Sequence, residues 1–416
     1  MADLLIHNLG ELATPLGSSP RRGPEQRQVL RLRDAEVLCR DGRIAFAGTA
    51  AERRRQLGEL PGVERMDGRG GPLVPGFVDP HTHLPWAGSR EEEFAARLAG
   101  KTYQEIAAAG GGILATVAAT RRAGEEELAA AVCRRLDLML AWGTTTAEAK
   151  SGYGLSLEGE LKQLRAIRRA AERHAIDLVP TLLAAHEVPA ESRHDRGRFL
   201  DLVCREIIPA AAEAGLARFC DVFCERGVFD AAESRRVLEA GARHGLAPRL
   251  HADEFVDSGG AELAGELGAL SADHLIAVSP AGIAALAGAG VTAVLLPGTS
   301  FFLMKHRYAP ARRLIEAGVP VALATDCNPG SSHTESMPMV VVLAVFELGL
   351  SVEESLTAAT LNAACCLGLG AEIGSIEPGK RADLALLGLP NLLHLAYHYG
   401  INPVAAVVKG GRLALA

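Results

Sequence analysis

The sequence predicts an α/β fold, a (β/α)8 TIM barrel carrying a small β-sandwich domain built from the N- and C-terminal segments, and three observations point to it. Short β-rich runs alternate with amphipathic helical stretches from about Leu73 to Ala324, and strand-like segments recur on both flanks of that alternation. Aromatic residues make up only 4% of the 416 residues, so packing must rest on Leu, Val, Ile and Ala, as it does in layered α/β structures. A chain of this length can hold one barrel-sized domain and a smaller companion.

Before the barrel, Ala35 to Ala47 places Asp41-Gly42 between apolar alternations, which signals a hairpin. Pro15 to Gln28, rich in Pro, Gly, Ser and Arg, reads as a surface loop. The candidate barrel strands are Leu73 to Val78, Thr144 to Ala149, Leu178 to Ala184, Phe219 to Phe223, Ala247 to Leu250, Ser271 to Leu275, Thr292 to Leu296 and Val319 to Ala324. Helical patterns between them include Glu125 to Ala141, Leu157 to His174, Ala231 to His244, Gly260 to Leu267 and Pro310 to Ala317, each of βα-unit length. A barrel of this kind places its chemistry at the carboxyl ends of its strands. Further on, Ser351 to Leu369 reads as one Ala-rich helix clamping the barrel to the β domain, and Ala382 to Leu387 and Val404 to Val408 read as strands. The expected division is 1–70 and 366–416 for the small domain and 71–365 for the barrel.

A formal charge of -7 leaves no footprint for nucleic acid or an anionic membrane, so a small-molecule partner is expected. Arginines lie scattered among Glu and Asp on helices such as Leu161 to Arg173 and read as solvated faces. The eight cysteines form no Cys-x-x-Cys pair, and the amino terminus lacks a secretory pattern, which together fit a cytoplasmic protein.

His81-Thr82-His83 follows the first candidate strand. Side chains two apart on a strand point the same way, so both imidazoles can reach one metal ion. His251 follows the fifth strand and Asp326 the eighth, in Leu323-Ala324-Thr325-Asp326. Any one such histidine is more often a satisfied polar residue, but three nitrogens and a carboxylate at the ends of strands one, five and eight describe a site for one zinc or iron ion, with a position left for water. A bridging carboxylated lysine for a second ion has no candidate between Lys162 and Lys305, so one metal per chain is expected.

Glu254, three residues after His251, is the candidate proton shuttle, and its bland reading is a helix-entry acid. His274, at the end of strand six, is placed to stabilise an oxyanion, and Asp326 to return a proton. Arg90, Tyr153 and His186 can hold an anionic substrate tail. Asn328-Pro329-Gly330-Ser331-Ser332 offers amides, hydroxyls and a close backbone beside Asp326.

These residues together resemble the amidohydrolase superfamily and, within it, the imidazolonepropionase family, which opens 4-imidazolone-5-propanoate to N-formimidoyl-L-glutamate in histidine degradation. His-x-His is generic to the superfamily. Lys150-Ser151-Gly152-Tyr153-Gly154-Leu155 and Asp326-Cys327-Asn328-Pro329-Gly330-Ser331-Ser332 are specific to the family, and Pro75 to Glu92, Gly110-Gly111-Gly112-Ile113, Gly143-Thr144-Thr145-Thr146 and His251 to His274 extend the likeness over nearly the whole chain. The resemblance implies that His81, His83, His251 and Asp326 bind one zinc or ferric ion. It places Arg90, Tyr103, Tyr153 and His186 around the propionate, Glu254 and His274 at the reacting ring and water, and Asn328, Gly330 and Ser331 where substrate or product is received. A homodimer is expected by base rate and by this family resemblance, not by any motif. His333, where proline is expected, and Trp86, in place of an aliphatic or phenylalanine side chain, depart from the pattern. A deaminase of the same superfamily acting on a heterocyclic base is the nearest rival, with no need for a carboxylate clamp; a non-catalytic barrel scaffold is the rival of another class.

Overall fold

The structure, a computed structural model, describes residues 3–101, 105 and 111–415. Strands β1 (Phe77–Asp79), β2 (Thr144–Lys150), β3 (Asp177–Ala185), β4 (Phe219–Cys224), β5 (Ala247–Ala252), β6 (Ser271–His274), β7 (Thr292–Leu295) and β8 (Val321–Leu323) lie side by side in chain order as one parallel sheet. Helices such as Glu125–Ala141, Leu157–Ala171 and Ala231–Arg243 pack their apolar faces onto it, giving the TIM barrel expected. Just beyond β1 and β8 the sheet closes on itself: Thr82 bridges Cys327 in parallel, the His83 amide donates to the Cys327 carbonyl at 3.0 Å, and the Asp326 amide donates to the His81 carbonyl at 3.1 Å.

The chain ends form two further sheets. One orders Arg43–Thr49, Ala35–Arg40, Leu4–Leu9 and Glu64–Asp67; the other orders Arg412–Leu415, Val404–Lys409, Leu384–Leu387, Pro72–Pro75, Glu11–Thr14 and Leu30–Leu32. Leu4, Ile6, Val37 and Ile44 of the first meet Leu12, Leu73, Leu384 and Val408 of the second in a shared core, which makes a sandwich. The Asp41-Gly42 hairpin forms as its sequence predicts, with φ of 49° and 79° at the two turn residues, the pair of left-handed conformations that a two-residue turn of this hand requires.

Three local expectations are corrected. The run from Leu73 to Val78 is not one strand: Pro72–Pro75 pairs in the sandwich and Phe77–Asp79 in the barrel. The change of sheet falls at Gly76, where a Cβ would stand 2.4 Å from the Thr145 side chain. Pro15 to Gln28 is not wholly a surface loop, because it holds a short helix, Gly23–Arg27, whose buried Gln26 amide both donates to and accepts from the Val321 backbone at 3.2 Å. Ser351 to Leu369 is not one helix. It breaks at Thr360 (φ -132°, ψ -87°), whose hydroxyl donates to the Leu356 carbonyl, into Val352–Ala359 and Leu361–Cys366. The second piece packs Ala363, Ala364 and Cys366 against barrel residues Val78, Val179, Phe219 and Val294, while Asn362 on it exchanges hydrogen bonds with the Arg21 backbone of the N-terminal segment and donates to the Val321 carbonyl of β8.

Candidate active site

The carboxyl ends of the barrel strands gather the chemistry. His81 and His83 follow β1 through Pro80, His251 lies in β5, His274 ends β6, and Asp326 stands three residues past β8. All five are buried, and His274 and Asp326 hold left-handed backbone conformations (φ 77° and 54°), a strain that persists only where surrounding contacts impose it.

Period-two geometry and second partners aim the rings. His81 Nδ1 lies 2.6 Å from Asp273 Oδ2, and His251 Nδ1 lies 3.1 Å from Asp221 Oδ1. With Nδ1 engaged, each ring turns Nε2 inward. There His251 Nε2 is 3.3 Å from His83 Nε2, while Asp326 Oδ1 is 3.4 Å from His83 Nε2 and 3.6 Å from His81 Nε2. Bonds of about 2.1 Å to one tetrahedral ion set ligand atoms about 3.4 Å apart, which these separations match. His81 Nε2 is buried with no hydrogen-bond partner, and His251 Nε2 and His83 Nε2 face each other at 3.3 Å beside it. The four residues therefore fit a metal. His274 also brings a nitrogen close to His81 and Asp326, a fifth donor within reach.

Electrostatics separate His251 from the other rings: burial alone would lower its pKa, but Asp221 raises it. Burial holds the imidazoles of His81, His83 and His186 well below their ordinary pKa, and pushes His274 down to about 3, so each is neutral with a lone pair to give. Burial alone would raise Asp221, but His251 and Lys150 hold it well below the carboxylate range. Burial and the neighbouring Asp326 push Glu254 up to about 8, and its Oε2 lies 3.9 Å from His274 Nδ1.

A cavity of about 660 Å³ opens above these groups. Arg90, Tyr153, His186, Glu254, His274, Asn328, Gly330 and Ser331 line it together with His83, His251 and Asp326. His186 stacks on His83 with ring centroids 5.0 Å apart, and its Nδ1 is 3.0 Å from the Gly152 carbonyl. Arg90 is not a free clamp: its Nε and Nη2 both donate to Glu93 Oε2, at 2.9 and 2.7 Å. Asn328 Nδ2 donates to Ser331 Oγ at 2.9 Å, and its Oδ1 accepts from the amides of Gly330 and Ser331, which shapes the turn beside Asp326. Tyr103 lies outside the described residues.

A profile of the amidohydrolase family matches residues 73–414. Imidazolonepropionase of Symbiobacterium thermophilum is 54% identical over 412 residues, covering 99% of this chain and 97% of that one; the Geobacillus kaustophilus imidazolonepropionase is 49% identical, covering 100% and 98%. The chain belongs to the imidazolonepropionase family of amidohydrolases. Solved structures with the same fold include a zinc-bound adenosine deaminase from Xanthomonas campestris (TM-score 0.71, 21% identity, 100% and 93% covered) and a triazine hydrolase variant (TM-score 0.73, 18% identity, 99% and 94% covered). As an amidohydrolase the chain is a metal-dependent hydrolase acting on a small molecule, and among the described residues no helix is long and apolar enough to cross a membrane.

Sequence reasoning overlooked the groups behind the histidines of this amidohydrolase site: Glu148, Lys150, Asp221, Arg249 and Asp273, all fully buried. A signal was present, because charged residues inside otherwise buried parallel strands are rare unless paired. Their partners, however, come from adjacent strands whose register no local pattern reveals.

Proposed function

We propose that this chain hydrolyses the ring carbon–nitrogen bond of 4-imidazolone-5-propanoate, giving N-formimidoyl-L-glutamate, with one zinc or iron ion held by His81, His83, His251 and Asp326. The single observation that carries the reading is that those four donors converge at metal-ligand spacing on the floor of the cavity that Arg90, Tyr153 and His186 line. The ion supplies Lewis acidity, which brings the pKa of water from about 16 toward about 7.

The chain's own groups do the rest. Arg90, Tyr103, Tyr153 and His186 hold the propionate. Glu254, perched over the ligands, takes the proton of the attacking water as its oxygen bonds to the ring carbonyl carbon. His274, neutral and with both ring nitrogens unpartnered in the structure, donates to the developing oxyanion. The proton taken by Glu254 passes to Asp326 and from there to the ring nitrogen as the bond from that nitrogen to the former carbonyl carbon breaks, and the new carboxyl group loses the second water proton to solvent, leaving a carboxylate and a formimidoyl group. Asn328, Gly330 and Ser331 receive the product.

Freshly prepared 4-imidazolone-5-propanoate, followed by loss of its ultraviolet absorbance with bound metal measured on the same sample, tests the proposal. Turnover with one equivalent of metal is expected. No turnover of it, with ammonia released from a heterocyclic amine instead, would move the chain to the deaminases.

A further inference from the structure

Lys150 opens the family-specific motif Lys150 to Leu155, yet no step above uses it. It is fully buried at the end of β2, with its ammonium in the middle of the barrel. Nζ donates to Glu148 Oε1 at 2.8 Å and to Asp221 Oδ2 at 2.7 Å, and lies 3.9 Å from Asp273 Oδ2.

Each of those carboxylates faces the metal centre with its other contacts. Glu148 Oε2 accepts the amide of Thr82, the residue between His81 and His83, at 3.1 Å. Asp221 Oδ1 meets both the ring Nδ1 and the backbone amide of His251, at 3.1 and 3.2 Å. Asp273 Oδ2 meets His81 Nδ1 at 2.6 Å and Arg249 Nη2 at 3.3 Å. One ammonium therefore reaches three carboxylates that orient histidine-bearing segments.

We propose that Lys150 is a positioning residue for the metal: by holding Glu148 and Asp221 it fixes the His81–His83 segment and the ring of His251, and so sets the affinity of the site for a divalent cation. The inference rests on the assignment of His81, His83, His251 and Asp326 as ligands. A buried ion cluster can also serve the fold alone, or even weaken it, so affinity and folding must be read separately.

The test uses the full-length wild type, Lys150→Met, Asp221→Asn and the double variant. The zinc dissociation constant is measured by competition with a chromophoric chelator, and the unfolding midpoint of each metal-free protein is measured alongside. Each single substitution is expected to raise the dissociation constant about 10–100-fold, as loss of a partner that orients a ligand does. The double variant should be no weaker than the worse single, because both break one path. Failure of the wild type to bind zinc defeats the ligand assignment itself. Wild-type affinity in folded Lys150→Met, or losses that multiply in the double variant, overturns the role given to Lys150 while leaving the ligands standing. If Lys150→Met does not fold, Asp221→Asn decides, since it keeps the side-chain shape and removes the charge Lys150 holds; unchanged affinity there overturns the proposal.

Discussion

Thr82 and Cys327 form the parallel bridge that closes the barrel between β1 and β8. His81 and His83 flank one side of that bridge and Asp326 precedes the other, so the proposed ligands stand on both sides of the seam. A bound ion then staples the last closure of the sheet as well as serving the reaction. Metal removal by chelator should lower the thermal midpoint measured by circular dichroism, and zinc at about 100 times its dissociation constant should restore about 2.7 kcal/mol of stability. In His251→Ala the midpoint should cease to respond to zinc; a full response there would place the ion elsewhere.

Gly330 presses its backbone against Arg90. A Cβ there would stand 1.9 Å from Arg90 Nη1 and 2.6 Å from Cζ. The clash is with the far end of a side chain, so Gly330→Ala should keep stability within about 0.5 kcal/mol, as surface changes generally do. It should nevertheless displace the guanidinium and raise KM about tenfold with kcat little changed, as Arg90→Ala should. Steady-state kinetics of the pair tests the coupling: Gly330→Ala should add nothing in the Arg90→Ala background.

Glu160 organises the loop that carries Tyr153. Its carboxylate is buried and accepts the amides of Gly152, Gly154 and Leu155 at 2.9, 2.9 and 2.7 Å. Glu160→Gln places an amide NH2 against donors it cannot satisfy, and an unmet buried donor destabilises by about 1–3 kcal/mol. Urea unfolding should show that loss, and KM should rise as Tyr153 and His186 lose their fixed positions.

How far the site is legible before folding depends on where each partner lies in the chain. His81 and His83 announce themselves because period two puts both on one face within three residues, and Asp326 because it ends an obvious apolar strand. Glu160 reads as an ordinary first-turn helix acid, since the amides it binds belong to a loop whose shape depends on glycine conformations such as Gly152 at φ 111°. Asp221 and Asp273 become meaningful only through parallel register, which sets β4 beside β5 and β5 beside β6. The barrel strands were visible to within a few residues because short strand-like runs recur between amphipathic helices, whereas the break at Thr360 turns on one side-chain hydrogen bond.

As the proposed base, Glu254 gives the reaction a pH dependence whose sign follows from its surroundings. Burial and Asp326 raise its carboxyl to about 8, so the ionised base becomes more populated as pH rises, and a bound cation draws that limb to lower pH. Plotted against pH, kcat/KM should therefore climb on its acid side with a midpoint below about 8. Glu254→Gln should lower kcat by about 10²–10⁴ and remove the limb, the range expected for a lost general base. An unchanged profile in that variant would assign the proton transfer to another group.

Trp86 and His333, the two positions where the sequence reads as departing from the resemblance, meet each other. Their ring centroids are 5.8 Å apart at 79°, an edge-on contact. Trp86 is 1% exposed, and Arg135 lays its guanidinium 3.3 Å from the Trp86 ring centroid while Nη1 donates to the carbonyls of Leu84 and Trp86 at 2.7 and 3.2 Å. Burial lowers the Arg135 pKa only to about 10, so the cation stays charged at neutral pH. The two substitutions thus act as one packing unit over the loops that leave β1 and β8. Trp86→Ala should cost about 3–5 kcal/mol in urea unfolding, the range for emptying a buried aromatic site. His333→Ala should be much milder, because that side chain is exposed. The double-variant cycle should return a coupling of about 0.5–1.5 kcal/mol, as aromatic edge contacts do. Additive losses would mean that the two rings pack independently. Zinc stoichiometry should be the same in all four proteins, since neither ring reaches a ligand.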